Sequence, residues 1–398
     1  MRGVSNLDLF QKCRDFTRYK ELKESGLLPY FRPIDLLHGP TVIMEGKERV
    51  MIGSNNYLGL SHHPKVIEAS IAAIHRYGTS CTGSRYLNGT LELHIELEER
   101  LAKFVGKEKA LVFSTGFQAN LGLLSALAGR EDILLCDSEN HASIVDGTRL
   151  SFAKTFKYRH GDMDDLADKL ERFQNKPIMI LSDGVFSMSG EIVDLPPIIK
   201  LASQYNVRVF IDDAHAIGVI GERGRGTGEY WDLNDNIDLV MGTFSKSFAS
   251  LGGFIAGPEI VIDYVKCHSR PFIFSASMPP ASIAATLAAL EIMETDTALI
   301  ERLWQHTRRM KKELTSMGYQ IGKTETPVIP VILGEDDFAC LFVNRLYEEG
   351  VFANAIIPPA VPPGSSGVRT SYMATHEDEH LDRVIEVFRK LGKEFNLI

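Results

Sequence analysis

Four short apolar runs in this sequence end in clusters of side chains able to do chemistry. Residues 110–113 lead into Ser114, Thr115, Gly116 and Phe117, and residues 178–181 into Ser182, Asp183 and Gly184. Residues 207–211 lead into Asp212, Asp213, Ala214 and His215. Residues 239–241 lead into Gly242, Thr243, Phe244, Ser245, Lys246 and Ser247. In open α/β sheets, ligands bind beyond the carboxyl ends of the strands. A lysine among small hydroxyl residues, followed by Gly252 and Gly253, can form a Schiff base if it is desolvated or set near positive charge. An aspartate at a strand end can hold the nitrogen of a pyridine ring that serves as an electron sink. His215 can then reach a phenolic oxygen of the same ring.

Spacing alone leaves plainer readings open. Lys246 is equally an exposed loop lysine, and Asp212 a helix cap or turn former. The glycine-rich stretch 221–228 does not match GxGxxG and reads as a structural loop. There is no P-loop and no HExxH. His62 and His63 precede Pro64 in a turn without a nearby ligand cluster, so no metal site is indicated.

The elements that must carry these residues follow from periodicity. Apolar runs at 110–113, 133–136, 178–181, 207–211 and 239–241, separated by helix-like stretches, read as buried strands of a mostly parallel sheet. Leu93, Leu97, Leu101 and Phe104 form a helical stripe. After about residue 300 come an apolar run at 328–333, a helical stretch, a Pro/Gly-rich loop from Pro358 to Gly367 and a last helix. Thr375 with Asp378 resembles a capping box for that helix. The expected architecture is α/β: an N-terminal segment (1–60), a large domain (61–295) and a small α+β C-terminal domain (296–398). Residues 7–24 read as one helix with Leu9, Cys13, Phe16 and Tyr19 on its apolar face. Its face with Lys12, Arg14, Arg18, Lys20 and Lys23 reads as solvated, with membrane-surface contact as the sharper alternative.

Composition bounds the setting. A chain of 398 residues is long enough for a large core and a second lobe, and 44% hydrophobic with 24% charged residues argues against disorder. A net charge of −9 opposes non-specific nucleic-acid binding. Five scattered cysteines without CxxC spacing suggest neither a disulfide framework nor a zinc site, and fit a reducing compartment. No apolar run approaches the ~20 residues that span a bilayer, and the N-terminus lacks a signal-peptide core. A cytoplasmic protein is expected.

Asp212–His215, followed about thirty residues later by Gly242–Lys246, resembles the α-oxoamine synthases, which are fold-type I pyridoxal-phosphate (PLP) enzymes. The likeness runs from Ser54–Gly59 to Arg369. It implies that Lys246 holds PLP as a Schiff base, that Asp212 faces the pyridine nitrogen and His215 the phenolic oxygen, and that His141 stacks on the ring. It further implies that Gly116, Phe117 and Thr243 bind the phosphate and that Ser187 contacts the cofactor. Ser275 would be a phosphate ligand lent by a neighbouring subunit, so a homodimer is implied. Arg369 would grip the amino-acid carboxylate, and Asn55 would be a second contact, with Asn56 beside it. Gly242–Gly253 and Gly83–Thr90, with Ser245 where other branches tend to carry glycine, look most like the bacterial serine palmitoyltransferase branch. That branch implies condensation of L-serine with palmitoyl-CoA, or another long-chain acyl thioester including one on a carrier protein. Other substrate pairs on the same residues remain alternatives, as does a non-catalytic partner subunit. Arg85 is a candidate contact for an anionic acyl donor, and equally a structural residue.

Overall fold

In the computed structural model, which describes residues 8–398, three sheets carry the chain. The N-terminal strands are β1 (Leu36–His38), β2 (Thr41–Met44) and β3 (Lys47–Met51). The central strands are β4 (Lys109–Phe113), β5 (Ile133–Asp137), β6 (Lys154–Tyr158), β7 (Ile178–Asp183), β8 (Arg208–Asp212), β9 (Leu239–Thr243) and β10 (Gly253–Gly257). The C-terminal strands are β11 (Val328–Gly334), β12 (Val351–Phe352), β13 (Asn354–Ile356) and β14 (Ser366–Ser371).

The central sheet has the order β4-β10-β9-β8-β7-β5-β6. Only β10 runs against its neighbours, pairing antiparallel with both β4 and β9. Strands β5, β7, β8 and β9 are buried along nearly their whole length, because helices cover both faces and leave no solvent side for polar residues. All four chemistry-bearing runs are strands of this sheet. Two strands escape a search for apolar runs. Edge strand β6 alternates Phe156 and Tyr158 with the polar Thr155 and Lys157 and opens on the exposed Lys154. Strand β10 is bracketed by glycines, and a Cβ on Gly253 would come within 2.5 Å of Gly116 Cα. That glycine lets the lysine loop lie against the helix that starts at Gly116.

A third sheet, antiparallel, has the order β11-β14-β13. Strand β12 pairs parallel with β3, Val351 opposite Val50, so residues 36–51 share a sheet with the C-terminal region. Val50 and Ile52 accordingly pack in one core cluster with Val331, Phe342, Tyr372 and Phe388.

Three local expectations are corrected. Residues 7–24 do not form one helix: Gln11–Arg14 and Arg18–Glu24 are separate, and Leu7 lies outside the described residues. Leu9, Cys13, Phe16 and Tyr19 are exposed, and only Leu22 is buried, so the expected apolar face has no core to fix a continuous helix. The last helix is Asp378–Glu394, not capped by Thr375. Thr375 lies within a turn closed by His376, whose Nδ1 accepts from Met373 N, and it is His380 Nδ1 that receives Glu377 N at the helix start. Finally, Ser366 and Gly367, read as loop, begin β14.

Candidate active site

The carboxyl ends of β4, β7, β8 and β9 open on one cavity of about 270 Å³. Gly116, Phe117, His141, Asp212, His215, Thr243 and Lys246 line it, joined by Thr115, Ser143, Asp183 and Ser245.

Lys246 stands in the loop that follows β9. Ala249 N donates to Lys246 O (2.9 Å) and Ser250 N to Phe244 O (2.8 Å). The turn forces Ala249, a residue with a Cβ, to φ 53°, a strained conformation held only because its surroundings fix it. The amine reaches the cavity, yet the enclosing protein depresses its pKa to about 8, chiefly by desolvation. Asp212 and Asp183 oppose that shift, and Arg369 adds to it.

Asp212 and Asp183 end the adjacent strands β8 and β7 and lie in register. Asp212 Oδ1 accepts from Ala214 N at 3.0 Å and Oδ2 from Asn120 Nδ2 at 2.7 Å. Burial, and then the neighbouring Asp212, push the Asp183 carboxyl well above the usual range. Asp213 points away from the cavity and anchors the glycine-rich loop: it accepts from Thr227 N at 3.0 Å and from Thr227 Oγ1 at 2.5 Å. Burial lifts the Asp213 pKa to about 7.

His215 is buried, and its Nδ1 is 2.7 Å from the Tyr57 hydroxyl. Burial first, then Lys246 and Arg369, hold its pKa well below the ordinary value, so the ring is neutral. His141 caps the helix Ala142–Leu150 and lines the cavity. Its Nδ1 lies 2.7 Å from Ser143 Oγ, and desolvation, reinforced by Lys246, lowers its pKa against the pull of Asp212.

Gly116 starts the helix Gly116–Leu127, whose first amides have no intrahelical acceptor; Thr115 Oγ1 takes one of them, from Gln118 (3.1 Å). A Cβ on Gly116 would lie 2.6 Å from Thr243 Oγ1, so the glycine keeps open the corner between helix start and hydroxyl. Thr243 Oγ1 is also 2.9 Å from Ser245 Oγ. Uncommitted amides, the positive end of a helix and two hydroxyls form a cradle for a phosphate group.

Arg369 lies on β14, almost fully buried. Its Nε donates to Ser187 O at 2.7 Å and its Nη2 to Asn55 Oδ1 at 3.0 Å. Asn56 turns away to Ser61 (2.8 Å). Ser187 thus meets a site residue through its carbonyl, and its side chain is not in the cavity wall. Ser275 is also outside the Lys246 cavity within its own chain: its Oγ accepts from Gln118 Nε2 at 3.0 Å. Arg85 is buried in a two-pronged pair with Glu98, at 2.8 and 3.0 Å, and is not free to meet an anionic substrate.

The sequence assigns no specific role to Asn120, Tyr57, Asp183, Ser143 or Ser245, although Asp183 and Ser245 stand in the strand-end clusters and Tyr57 lies within Ser54–Gly59. Asn120 carried no signal beyond its place one turn after Gly116.

A family model for aminotransferase class I and II matches residues 47–388. The chain belongs to that family. It is 48% identical over 98% of its length, and 98% of the relative's, to a serine palmitoyltransferase of Sphingobacterium spiritivorum. It is 41% identical over the full length of both chains to an 8-amino-7-oxononanoate synthase of Thermoanaerobacter pseudethanolicus. Among solved structures, a serine palmitoyltransferase from S. paucimobilis with a bound PLP–myriocin aldimine superposes with a TM-score of 0.95 at 33% identity, covering 98% of this chain and 100% of that one. The fold is that of the fold-type I PLP transferases. The Lys246 cavity fits the cofactor of such enzymes: an amine of lowered pKa, a carboxylate pair and an open phosphate cradle surround one space.

Proposed function

We propose that this chain condenses L-serine with a long-chain acyl thioester, palmitoyl-CoA above all, releasing CO2 and the thiol and giving 3-ketodihydrosphingosine. It is a PLP-dependent acyltransferase. The observation that carries this reading is the cavity that joins Lys246, Asp212, His141 and His215, with the Arg369–Asn55 pair close by. The choice of serine and palmitoyl groups rests on the similarity to serine palmitoyltransferases over nearly the whole chain.

When bound, PLP supplies an electron sink for the charge that develops at the serine Cα. The chain's residues do the rest. Lys246 would hold the cofactor covalently at rest, and its Nζ would take the Cα proton and later return one. Asp212 would keep a proton on the pyridine nitrogen, and His215 would donate to the phenolic oxygen. His141 would stack on the ring and hydrogen-bond the serine carboxylate. Arg369 and Asn55 hold that carboxylate until it leaves as CO2. Gly116, Phe117 and Thr243 would grip the phosphate, and Ser187 acts through its carbonyl, which holds Arg369.

We assign Ser275 to the phosphate site of a second copy of the chain, so the working unit is a homodimer. Phe274 beside it is 75% exposed, as an interface residue would be in an isolated chain. Among the described residues no helix is long and apolar enough to cross a membrane. A cytoplasmic enzyme that begins sphingolipid synthesis fits this picture. The oxononanoate synthase relative supports a second reading, condensation of alanine with a pimeloyl thioester on the same residues.

The deciding experiment offers the purified enzyme palmitoyl-CoA with serine, glycine, alanine or cysteate in turn and reads products by mass spectrometry. A decarboxylated long-chain aminoketone from serine alone is expected. Turnover only with another amino acid would keep Lys246 and the family but overturn the substrate. A repeat with palmitoyl carrier protein separates the two donors.

A further inference from the structure

Asn120 lies one turn into the helix Gly116–Leu127 and is completely buried behind the cavity. One atom, Nδ2, meets two partners: Asp212 Oδ2 at 2.7 Å and Ser143 Oγ at 2.8 Å. Ser143 Oγ in turn lies 2.7 Å from His141 Nδ1. The other end of the amide, Oδ1, is buried without a partner.

The chemistry of each atom fixes the direction of the chain. A carboxylate only accepts, so the end of Asn120 that faces Asp212 must be the NH2 group. Flipping the amide would set oxygen against oxygen. The second N–H then points to Ser143 Oγ and occupies a lone pair there. The serine hydrogen is left for His141 Nδ1, which also receives Ser143 N at 3.2 Å. A ring nitrogen that accepts from two donors carries no proton, so the imidazole proton sits on Nε2. A leucine of similar shape would fill the same space without an orphaned carbonyl, so packing alone does not explain an asparagine here.

We propose that Asn120 is a positioning residue that sets the proton polarity of the site. It holds the Asp212 carboxylate with one N–H and, through Ser143, fixes His141 as the Nε2-protonated tautomer. The inference rests on the reading of Asp212 and His141 as partners of PLP. It adds that both are governed by one amide.

The test uses the holoenzyme and two variants, N120L and S143A. N120L removes both arms. It is expected to raise the dissociation constant for PLP about ten-fold or more, the scale of a lost hydrogen bond to a charged group. It should also shift the visible cofactor band and weaken serine binding, followed as the spectral change on adding serine. S143A removes the hydroxyl that links Asn120 to His141 but keeps the residue-143 backbone N–H to Nδ1, so it should weaken serine binding while moving cofactor affinity and band less than N120L does. A folded N120L with unchanged band, PLP affinity and serine affinity would overturn the proposal. So would S143A with unaltered serine affinity, which decides the matter even if N120L does not fold. Failure of the underlying cofactor reading is visible separately: the unmodified protein would then show no cofactor band reducible onto a lysine.

Discussion

The hydroxyl of Tyr57 and Nδ1 of His215 meet at 2.7 Å in the interior, one residue from the Ser54–Gly59 segment after β3 and the other just past β8. Burial pushes the Tyr57 phenol up, so it keeps its proton, and His215 is held neutral. For His215 to donate to the cofactor through Nε2, as proposed, the phenol hydrogen must point to Nδ1. Tyr57→Phe strands a buried ring nitrogen, a loss of about 1–3 kcal/mol, and releases the choice of tautomer. The holoenzyme of this variant should show a shifted visible band and a kcat lower by about ten-fold. An unchanged band and kcat would mean that Tyr57 does not govern His215.

Lys246 gives a pH prediction with a definite sign. With its pKa lowered to about 8, the amine is a cation below that pH and a free nucleophile above it. Covalent attachment of PLP to the apoprotein should therefore quicken about ten-fold per pH unit below the midpoint and level off above it. An ordinary lysine would keep accelerating toward 10.5. Stability follows the same shift. Between about 8 and 10.5 the unfolded chain binds more protons than the folded one, so apoprotein stability rises with pH across that window. Lys246→Met should flatten that part of the profile. Stopped-flow absorbance and denaturant titrations at several pH values check both.

The strands that form the site were legible because burial on both faces writes them as apolar runs, and their polar ends stand out against that background. Strand β10 was not, because its glycines serve a close backbone approach that no periodicity reports. Thr375 misled because a local pattern was read without the competing turn at His376. Asn120 and Arg85 were opaque for a shared reason. Their roles depend on partners far along the chain or across an element boundary, Asp212 and Glu98 respectively. Ser187 shows a further limit, since the atom that meets Arg369 is a carbonyl every residue possesses.

Arg85 now yields a stability prediction in place of a substrate one. Its guanidinium and the Glu98 carboxylate are 5% and 12% exposed, and Glu98 Oε1 also accepts from Val112 N at 2.9 Å on β4. Arg85→Ala leaves that carboxylate buried without its cation, a loss of about 3–5 kcal/mol. The denaturant midpoint should fall accordingly, while KM for the acyl thioester in the folded fraction stays unchanged. A raised KM with unchanged stability would restore Arg85 as a substrate contact.

Arg369 spends Nε on Ser187 O and one Nη2 proton on Asn55 Oδ1. Those two bonds fix the plane of the guanidinium and leave Nη1, with the second Nη2 proton, as a fork for a carboxylate. Arg369→Lys keeps the charge but loses both the fork and the two anchoring bonds. Serine KM should rise about 10- to 100-fold, the scale of hydrogen bonds to a charged group. The KM for the acyl thioester should hold. Asn55→Ala loosens the fork without removing it, so its serine KM should rise less than that of the lysine variant. Initial rates at varied serine and fixed acyl thioester measure both. If the two variants reverse in order, the carboxylate is held chiefly by Asn55, and Arg369 serves to orient that amide.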